Sequence, residues 1–318
     1  MSDKKQSVLI VAGPTASGKS GLALAAAREF DGVVINADSM QIYRELRVLT
    51  ARPTEEDEAR APHRLYGVLS ASEVCSAGRW RDMALEEIES AAKAGKLPIL
   101  CGGTGLYIKA LTQGLSPMPE VPDDIRAAMR ARLKDEGAGE LYRELTSRDP
   151  VMAARLDPAD SQRIVRALEV LEATGRSLAE WQATPPEGPP AGLRFQTILL
   201  APPREELYAN CDRRLEAMLK QGGALDEVRR LTAMGLAPDL PAMKALGVKE
   251  FAEYLAGNIG FDEALAAAQQ ATRNYAKRQM TWFRHQIIAD KLIETQFSES
   301  LQVEIFAFIR HFLLTGKD

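Results

Sequence analysis

Residues 13–20 read Gly-Pro-Thr-Ala-Ser-Gly-Lys-Ser, the pattern G-x-x-x-x-G-K-[ST]. Gly13 and Gly18 let the backbone turn tightly, so that successive N–H groups around Pro14, Thr15, Ala16 and Ser17 converge on one point. A helix starting there adds its positive end. Such a cradle binds phosphate oxygens. Lys19 would hold the outer phosphate as a point charge, and Ser20 would help to hold Mg²⁺. A chance glycine turn is the bland alternative, but the loop sits in the required context, between an apolar run and an Ala/Leu-rich run. The loop binds a diphosphate or polyphosphate without naming the reaction.

Three other segments carry possible chemistry. Residues 36–43 read Asn-Ala-Asp-Ser-Met-Gln-Ile-Tyr. A carboxylate at Asp38 could take a proton from an attacking group. Asn36, Asp38 and Ser39 also suit an Asx turn or a helix cap, and the segment alone favours that reading. Residues 101–107, Cys-Gly-Gly-Thr-Gly-Leu-Tyr, permit close backbone approach to a ligand and present the Thr104 hydroxyl, or simply make a tight strand-to-helix turn. Residues 273–285 hold Arg273, Lys277, Arg278 and Arg284 with no acid, interleaved with Tyr275, Trp282 and Phe283. Cations with aromatics grip single-stranded RNA. A solvated helix face over an aromatic core stripe has the same composition. Gln162 and Arg166 share a helix face beside Arg163, which is equally an ordinary charged helix. Trp80 and Trp181 read as core.

These residues need elements to position them. The runs 8–12, 33–35, 97–101 and 195–200 are short, apolar and β-rich, as buried parallel strands are. Helical patterns occupy 19–30 and 79–94. The β–α–β–α–β order predicts a parallel sheet with right-handed crossovers. In such sheets ligands sit at the carboxyl ends of the strands, which puts Asp38 near the phosphate loop. A proline-rich exit at 116–122 and a second at 185–192 bracket a charged helical stretch. The fold class is therefore α/β: a P-loop NTPase-like parallel sheet flanked by helices, with an all-helical insertion. Expected boundaries are 1–116 and 193–318 for the core and 117–192 for the insertion. The tail from 204 is mostly helical, and Phe306, Ile309 and Phe312 predict a packing helix without assigned function.

Composition narrows the class. In 318 residues, 46% are hydrophobic and 26% charged, which suits a globular core rather than disorder. A net charge of −4 removes the simple argument for nucleic-acid binding while leaving room for a local basic surface. Three cysteines and three scattered histidines form neither a disulfide framework nor a zinc pattern. They fit a reducing cytoplasm. No apolar run reaches the ~18 residues of a membrane span.

Taken together, these segments resemble the tRNA dimethylallyltransferase (tRNA isopentenyltransferase) family. The phosphate loop, residues 36–43 and Gly102-Gly-Thr-Gly-Leu-Tyr are followed in the family's order by further words. They are Arg52-Pro-Thr, Pro62-His, Asp160-Ser-Gln-Arg-Ile-Val-Arg-Ala-Leu-Glu, Arg213-Arg-Leu-Glu-Ala-Met, Lys244-Ala-Leu-Gly-Val-Lys-Glu and Thr272-Arg-Asn-Tyr-Ala-Lys-Arg-Gln-Met-Thr-Trp-Phe-Arg. The resemblance spans almost the whole chain. It implies transfer of a dimethylallyl group from its diphosphate to N6 of the adenosine 3′ of the anticodon, giving N6-isopentenyladenosine and diphosphate. It implies that residues 13–20 bind the prenyl diphosphate rather than ATP, and that Arg214 adds a cation. Asp38 would be the general base, and Thr104 would line the channel where the adenine enters. Asp38, Ser39, Met40, Gln41, Thr104, Arg126, Gln162, Arg163, Arg166, Lys244, Lys249, Lys277, Arg278, Gln279, Trp282 and Arg284 would contact the anticodon stem-loop of tRNA. Mg²⁺ is the implied cofactor, and the chain is expected to act as a monomer with no membrane partner.

Two positions depart from the family. Arg64 stands where a second histidine is usual, and Gly247-Val248 where Gly-Tyr is usual. Both touch RNA contacts rather than the chemistry. A small-molecule P-loop kinase is the main competing class, but the sequence lacks a lid and a clear strand-end acid for the metal. A prenyltransferase of free adenine nucleotides would leave the insertion and the basic C-terminal helix without a purpose. A non-catalytic RNA-binding module would leave the phosphate loop and Asp38 unexplained.

Overall fold

The computed structural model describes residues 5–186, 188–220 and 222–315. The chain divides into two compact units, Met1–Thr112 with Pro190–Asp318, and Gln113–Pro189.

The larger unit is built on strands β1 (Gln6–Ala12), β2 (Gly32–Asn36), β3 (His63–Arg64), β4 (Leu97–Gly102), β5 (Leu193–Leu200) and β6 (Lys291–Ile293). All pair in parallel, in the order β3-β2-β4-β1-β5-β6. Four of these strands correspond to the apolar runs of the sequence. The edge strands β3 and β6 do not, because His63-Arg64 and Lys291-Leu-Ile are too short and too polar to carry a strand pattern. Helices α1 (Lys19–Glu29), α2 (Glu55–Arg60), α3 (Ala77–Lys93) and α4 (Gly105–Thr112) belong to the first half.

Alternation along β1 feeds two cores. Val8, Ile10 and Ala12 face one layer, with Trp80, Ala84 and Ile88 of α3 and Ile108 and Leu111 of α4. Leu9 and Val11 face the other, with Leu22, Ala23 and Ala26 of α1. Burying such a side chain stabilises by about 1.5–3 kcal/mol, so a strand covered on both faces must be apolar throughout.

The smaller unit comprises α5 (Asp123–Glu136), α6 (Ala138–Arg148), α7 (Pro150–Ala153), α8 (Ser161–Thr174) and α9 (Leu178–Ala183) around Met129, Leu141, Leu145, Ile164 and Leu168. Trp181 packs against this core only partly buried, with Arg176 over its ring at 4.6 Å. The unit boundaries lie a few residues before the proline-based expectation. Gly192, just before β5, is already bonded to the sheet, since its carbonyl accepts from Gln6 N at 2.8 Å.

After β5 the larger unit continues with α10 (Arg204–Lys220), α11 (Ala224–Ala233), α12 (Val248–Leu255), α13 (Phe261–Gln286) and, beyond β6, α14 (Gln302–Thr315). Helix α14 buries Phe306, Ile309 and Phe312 at the predicted spacing. Among the described residues, no helix is long and apolar enough to cross a membrane.

Candidate active site

Strand register brings three loops together. Ala12 of β1 pairs with Gly102 of β4, and Asn36 of β2 pairs with Cys101, so the ends of these strands lie abreast. The approach is close enough to demand glycine: a Cβ on Gly102 would lie 2.0 Å from the carbonyl oxygen of Ala37. That carbonyl instead accepts from Thr104 N at 3.1 Å. The β2 end is also held from below, where Trp80 Nε1 donates to Asn36 O at 2.8 Å and its ring stacks on Tyr107. Trp80 is core, as its sequence context suggests, and it also fixes this loop.

The first loop joins β1 to α1. Ala16 and Gly18 take positive φ values of 62° and 87°, and α1 begins at Lys19. Left-handed residues in succession turn amide groups toward a common point, where an anion binds. Lys19 folds back so that Nζ donates to Pro14 O at 3.2 Å, and is 8% exposed. Burial lowers its pKa, while Cys101 and Asp38 act in the other direction. Burial pushes the Cys101 thiol up to about 11, so at neutral pH the negative neighbour is Asp38. A buried ammonium with one carbonyl partner gains from an incoming anion.

A hollow of about 560 Å³ opens over this loop, lined among others by Lys19, Ser20, Asn210, Arg213, Arg214 and Gln296. Among the described residues no carboxylate lines it. Its floor is ordered: Arg213 Nη2 donates to Asn210 Oδ1, and Asn210 Nδ2 donates to Gln296 Oε1 at 2.6 Å. Phe297 N donates to Ser17 O at 3.4 Å, so the chain after β6 borders the phosphate loop.

The second loop turns through Asp38. Its N–H donates to Asn36 Oδ1 at 2.8 Å, and its Oδ1 accepts from Met40 N at 2.9 Å. This is an Asx turn. The other carboxylate oxygen makes no hydrogen bond among the described residues, so turn and base are compatible in one side chain. Thr104 at the third loop accepts from Ser39 N at 2.9 Å and donates to Ser39 Oγ at 3.2 Å. A second hollow, of about 240 Å³, is lined by Thr15, Asp38, Met40, Leu49, Arg214, Lys244, Tyr275 and Arg278, with others.

Arg214 lines both hollows and donates through Nη2 to Thr15 Oγ1. Burial lowers its pKa, with Cys211 and Asp38 opposing. Tyr275 lines the Asp38 hollow, and burial together with the Asp38 charge pushes its phenol up.

Comparison with known proteins decides the family. The model of the IPP transferase family matches residues 41–286, more than half of the chain. The chain belongs to the IPP transferase family. It is 56% identical over 316 residues to the tRNA dimethylallyltransferase of Paramagnetospirillum magneticum, covering 99% of this chain and 100% of that protein. The enzyme of the same name from Parvibaculum lavamentivorans is 53% identical, covering 99% of each. Among solved structures, the tRNA isopentenylpyrophosphate transferase of Bacillus halodurans superposes with a TM-score of 0.70 at 32% identity, covering 98% of each chain. A eukaryotic dimethylallyltransferase acting on tRNA gives a TM-score of 0.79 at 26% identity, covering 98% of this chain and 80% of that one.

In this IPP transferase the residues expected to touch RNA fall into groups. Lys277, Arg278 and Arg284 are exposed on α13, with Trp282 half-buried beside them, and Lys244 and Lys249 are exposed nearby in sequence. Asn274, Lys277, Arg278, Thr281, Trp282, His285 and Gln286 line a surface hollow of about 500 Å³. Ser39 and Met40 are half-buried in the Asp38 turn. In the insertion, described by itself, Arg126, Gln162 and Arg163 are exposed, and Arg166 pairs with Glu169 at 3.4 Å.

Two of the residues expected to touch RNA are buried and bonded within the protein. Gln41 is 8% exposed, and its Nε2 donates to Thr50 O at 2.7 Å and Ala51 O at 3.2 Å. Gln279 is 6% exposed, with both ends of its amide bonded within the protein. Each amide donates to backbone carbonyls, Gln279 to the buried one of Gly103, and so satisfies groups that the fold turns away from water.

The sequence reading gave no site role to Leu49, Asn210 or Gln296, and named Tyr275 only among the aromatics of 273–285 rather than beside Asp38. For Tyr275 a signal existed: residues 275, 278, 279 and 282 share one face of a helix. The others come from separate segments with no common spacing.

Proposed function

We infer that this chain transfers a dimethylallyl group from dimethylallyl diphosphate to N6 of the adenosine 3′ of a tRNA anticodon. The observation that carries the reading is the pair of adjoining hollows. One is cationic and free of carboxylates; the other holds the open oxygen of Asp38; Arg214 lines both.

The donor's C1–O bond breaks and its electron pair leaves with the diphosphate. Charge develops on the bridging oxygen, where fixed donors lower the barrier most. The amides of the phosphate loop other than Thr15, whose N–H is bonded to Gln279, are proposed to hold it together with Lys19 and Arg214. The N6 lone pair forms the new bond to C1, and its proton passes to the Asp38 carboxylate. That nitrogen is a weak nucleophile, and a positioned base contributes about 10²–10⁴-fold. Thr104 and Tyr275 would orient the adenine, which must leave its stack to enter. Lys244, Lys249, Lys277, Arg278, Trp282 and Arg284 would grip the surrounding RNA by charge and stacking, with Arg126, Gln162, Arg163 and Arg166 adding contacts from the insertion.

Mg²⁺ fits as an ion carried with the donor. The phosphate-side hollow offers the Ser20 hydroxyl and no carboxylate, so diphosphate and water would complete its oxygen shell. When bound it would neutralise diphosphate charge. The chain is proposed to act as a monomer, and the tRNA acceptor supports a cytoplasmic site of action.

The test is transfer of radiolabel from dimethylallyl diphosphate to unmodified tRNA, with Mg²⁺ and no ATP. Label in tRNA and none in AMP is the expected result. Phosphate passed from ATP to a small molecule would make the loop a kinase loop.

A further inference from the structure

Helix α13 presents an inner stripe of Ala264, Ala268, Thr272, Ala276, Met280 and Phe283, all buried. One further buried residue interrupts this stripe with a long polar side chain. Gln279 Oε1 accepts from Thr15 N at 2.8 Å, and Gln279 Nε2 donates to Gly103 O at 2.8 Å. A single amide thus bridges the phosphate loop to the turn after β4. The two ends matter for different halves of the site. Thr15 is held a second time through its hydroxyl, by Arg214. Gly103 immediately precedes Thr104, whose hydroxyl holds Ser39 in the Asp38 turn. The bond to Thr15 also removes one amide of the loop from the set that faces an anion. A Cβ on Gly103 would lie 2.2 Å from Gln279 Nε2, so the seat is closely fitted.

We propose that Gln279 is a positioning residue: it sets the spacing between the phosphate loop and the Thr104–Asp38 turn, and so between leaving group and base. This rests on the transfer reaction inferred above, and it deepens that reading. An amide suits the task because it accepts at one end and donates at the other in a fixed plane. A misplacement of about 1 Å at a reacting pair costs about 10²-fold in rate.

The experiment compares Gln279→Met and Gln279→Glu with the wild type. Methionine has similar length and makes neither bond. Gln279→Met should lower kcat by about 10–100-fold and weaken inorganic diphosphate binding, with tRNA affinity within about twofold of wild type. Glutamate keeps the acceptor for Thr15 N but cannot donate to Gly103 O while ionised. Its protonated form is the shape and donor pattern of glutamine. The ratio of Gln279→Glu to wild-type kcat should therefore rise as pH is lowered from about 8 to about 5.5, since a buried carboxyl takes up its proton above the ordinary range. A ratio that does not change with pH, or a loss of kcat/KM carried wholly by tRNA affinity, would overturn the proposal. Should Gln279→Met not fold, the pH profile of Gln279→Glu decides alone. Diphosphate binding separates the two readings. A wild type that moves no prenyl group, beside a variant that loses diphosphate affinity, would sink the reaction and keep the strut.

Discussion

The two hollows that share Arg214 are made by different means. On the phosphate side the binding groups are main-chain amides of one contiguous loop, a lysine that follows it, and cations of α10. On the other side Asp38, Leu49 and Lys244 come from separate segments and Tyr275 and Arg278 from α13, and side chains do the work. An anion can be met by backbone because every residue carries an N–H, so only the turn has to be specified. A base and an adenine need particular side chains at particular distances, and these the fold must collect. The contrast predicts that the phosphate side tolerates loss of single side chains better than the other side does.

The sharpest way to break this contrast is Asp38. Asp38→Asn retains an oxygen for Met40 N and hence the turn, but it removes the base. Turnover should fall by about 10²–10⁴-fold, as for Asp38→Ala, with tRNA affinity preserved. Single-turnover transfer and tRNA binding measure the two. Retention of activity in Asp38→Asn with loss in Asp38→Ala would reduce Asp38 to a turn residue.

Arg214 tests the shared wall. A charge-assisted hydrogen bond is worth about 1.5–3 kcal/mol, or roughly 10–100-fold. Arg214→Ala should lose that much in kcat/KM for the donor, with both KM and kcat affected. A change confined to KM would place Arg214 on the phosphate side alone.

A smaller effect is expected on the outer face of α13. Arg278→Ala should weaken tRNA binding several-fold and lower the salt slope of log K by about 0.7, the value for one phosphate contact on a single strand. Donor affinity measured without tRNA should stay the same. An unchanged slope would remove Arg278 from the RNA surface.

The last effect, small at neutral pH and growing only above the lowered pKa, concerns Lys19. Lys19 has a pKa lowered by burial, and the donor binds its charged form. Donor affinity should therefore fall as pH rises through that lowered pKa, with a fall of up to tenfold per pH unit above it. In Lys19→Arg the alkaline fall should vanish, because arginine stays charged. A fall that persists there would belong to another group.

How much could be read before the fold was known follows the same division. Val8 to Ala12 read as a doubly covered strand and the glycine-lysine loop after it as a candidate anion cradle, because both patterns are local. The insertion was visible as charged helices between proline-rich exits. The edge strands β3 and β6 were not, since two- and three-residue strands owe their existence to the neighbour they pair with. Asp38 was ambiguous in sequence for a physical reason: one oxygen makes the turn and the other stays open.

Sequence alone determined what is carried by adjacent residues: the phosphate loop, the parallel strands, and a helix with cations and aromatics. The family words added the reaction. Tertiary structure decided which way α13 is turned. Burial of Ala276, Met280 and Phe283 against the core drives Gln279 inward to Thr15 and Gly103, and leaves Lys277 and Arg278 outside. Neighbouring residues of one motif thus reach different partners: Gln279 the buried backbone of two loops, Arg278 the hollow beside Asp38. The physical reason is that a helix has a period of 3.6 residues, and only the packing of its apolar stripe says which part of each turn meets the core.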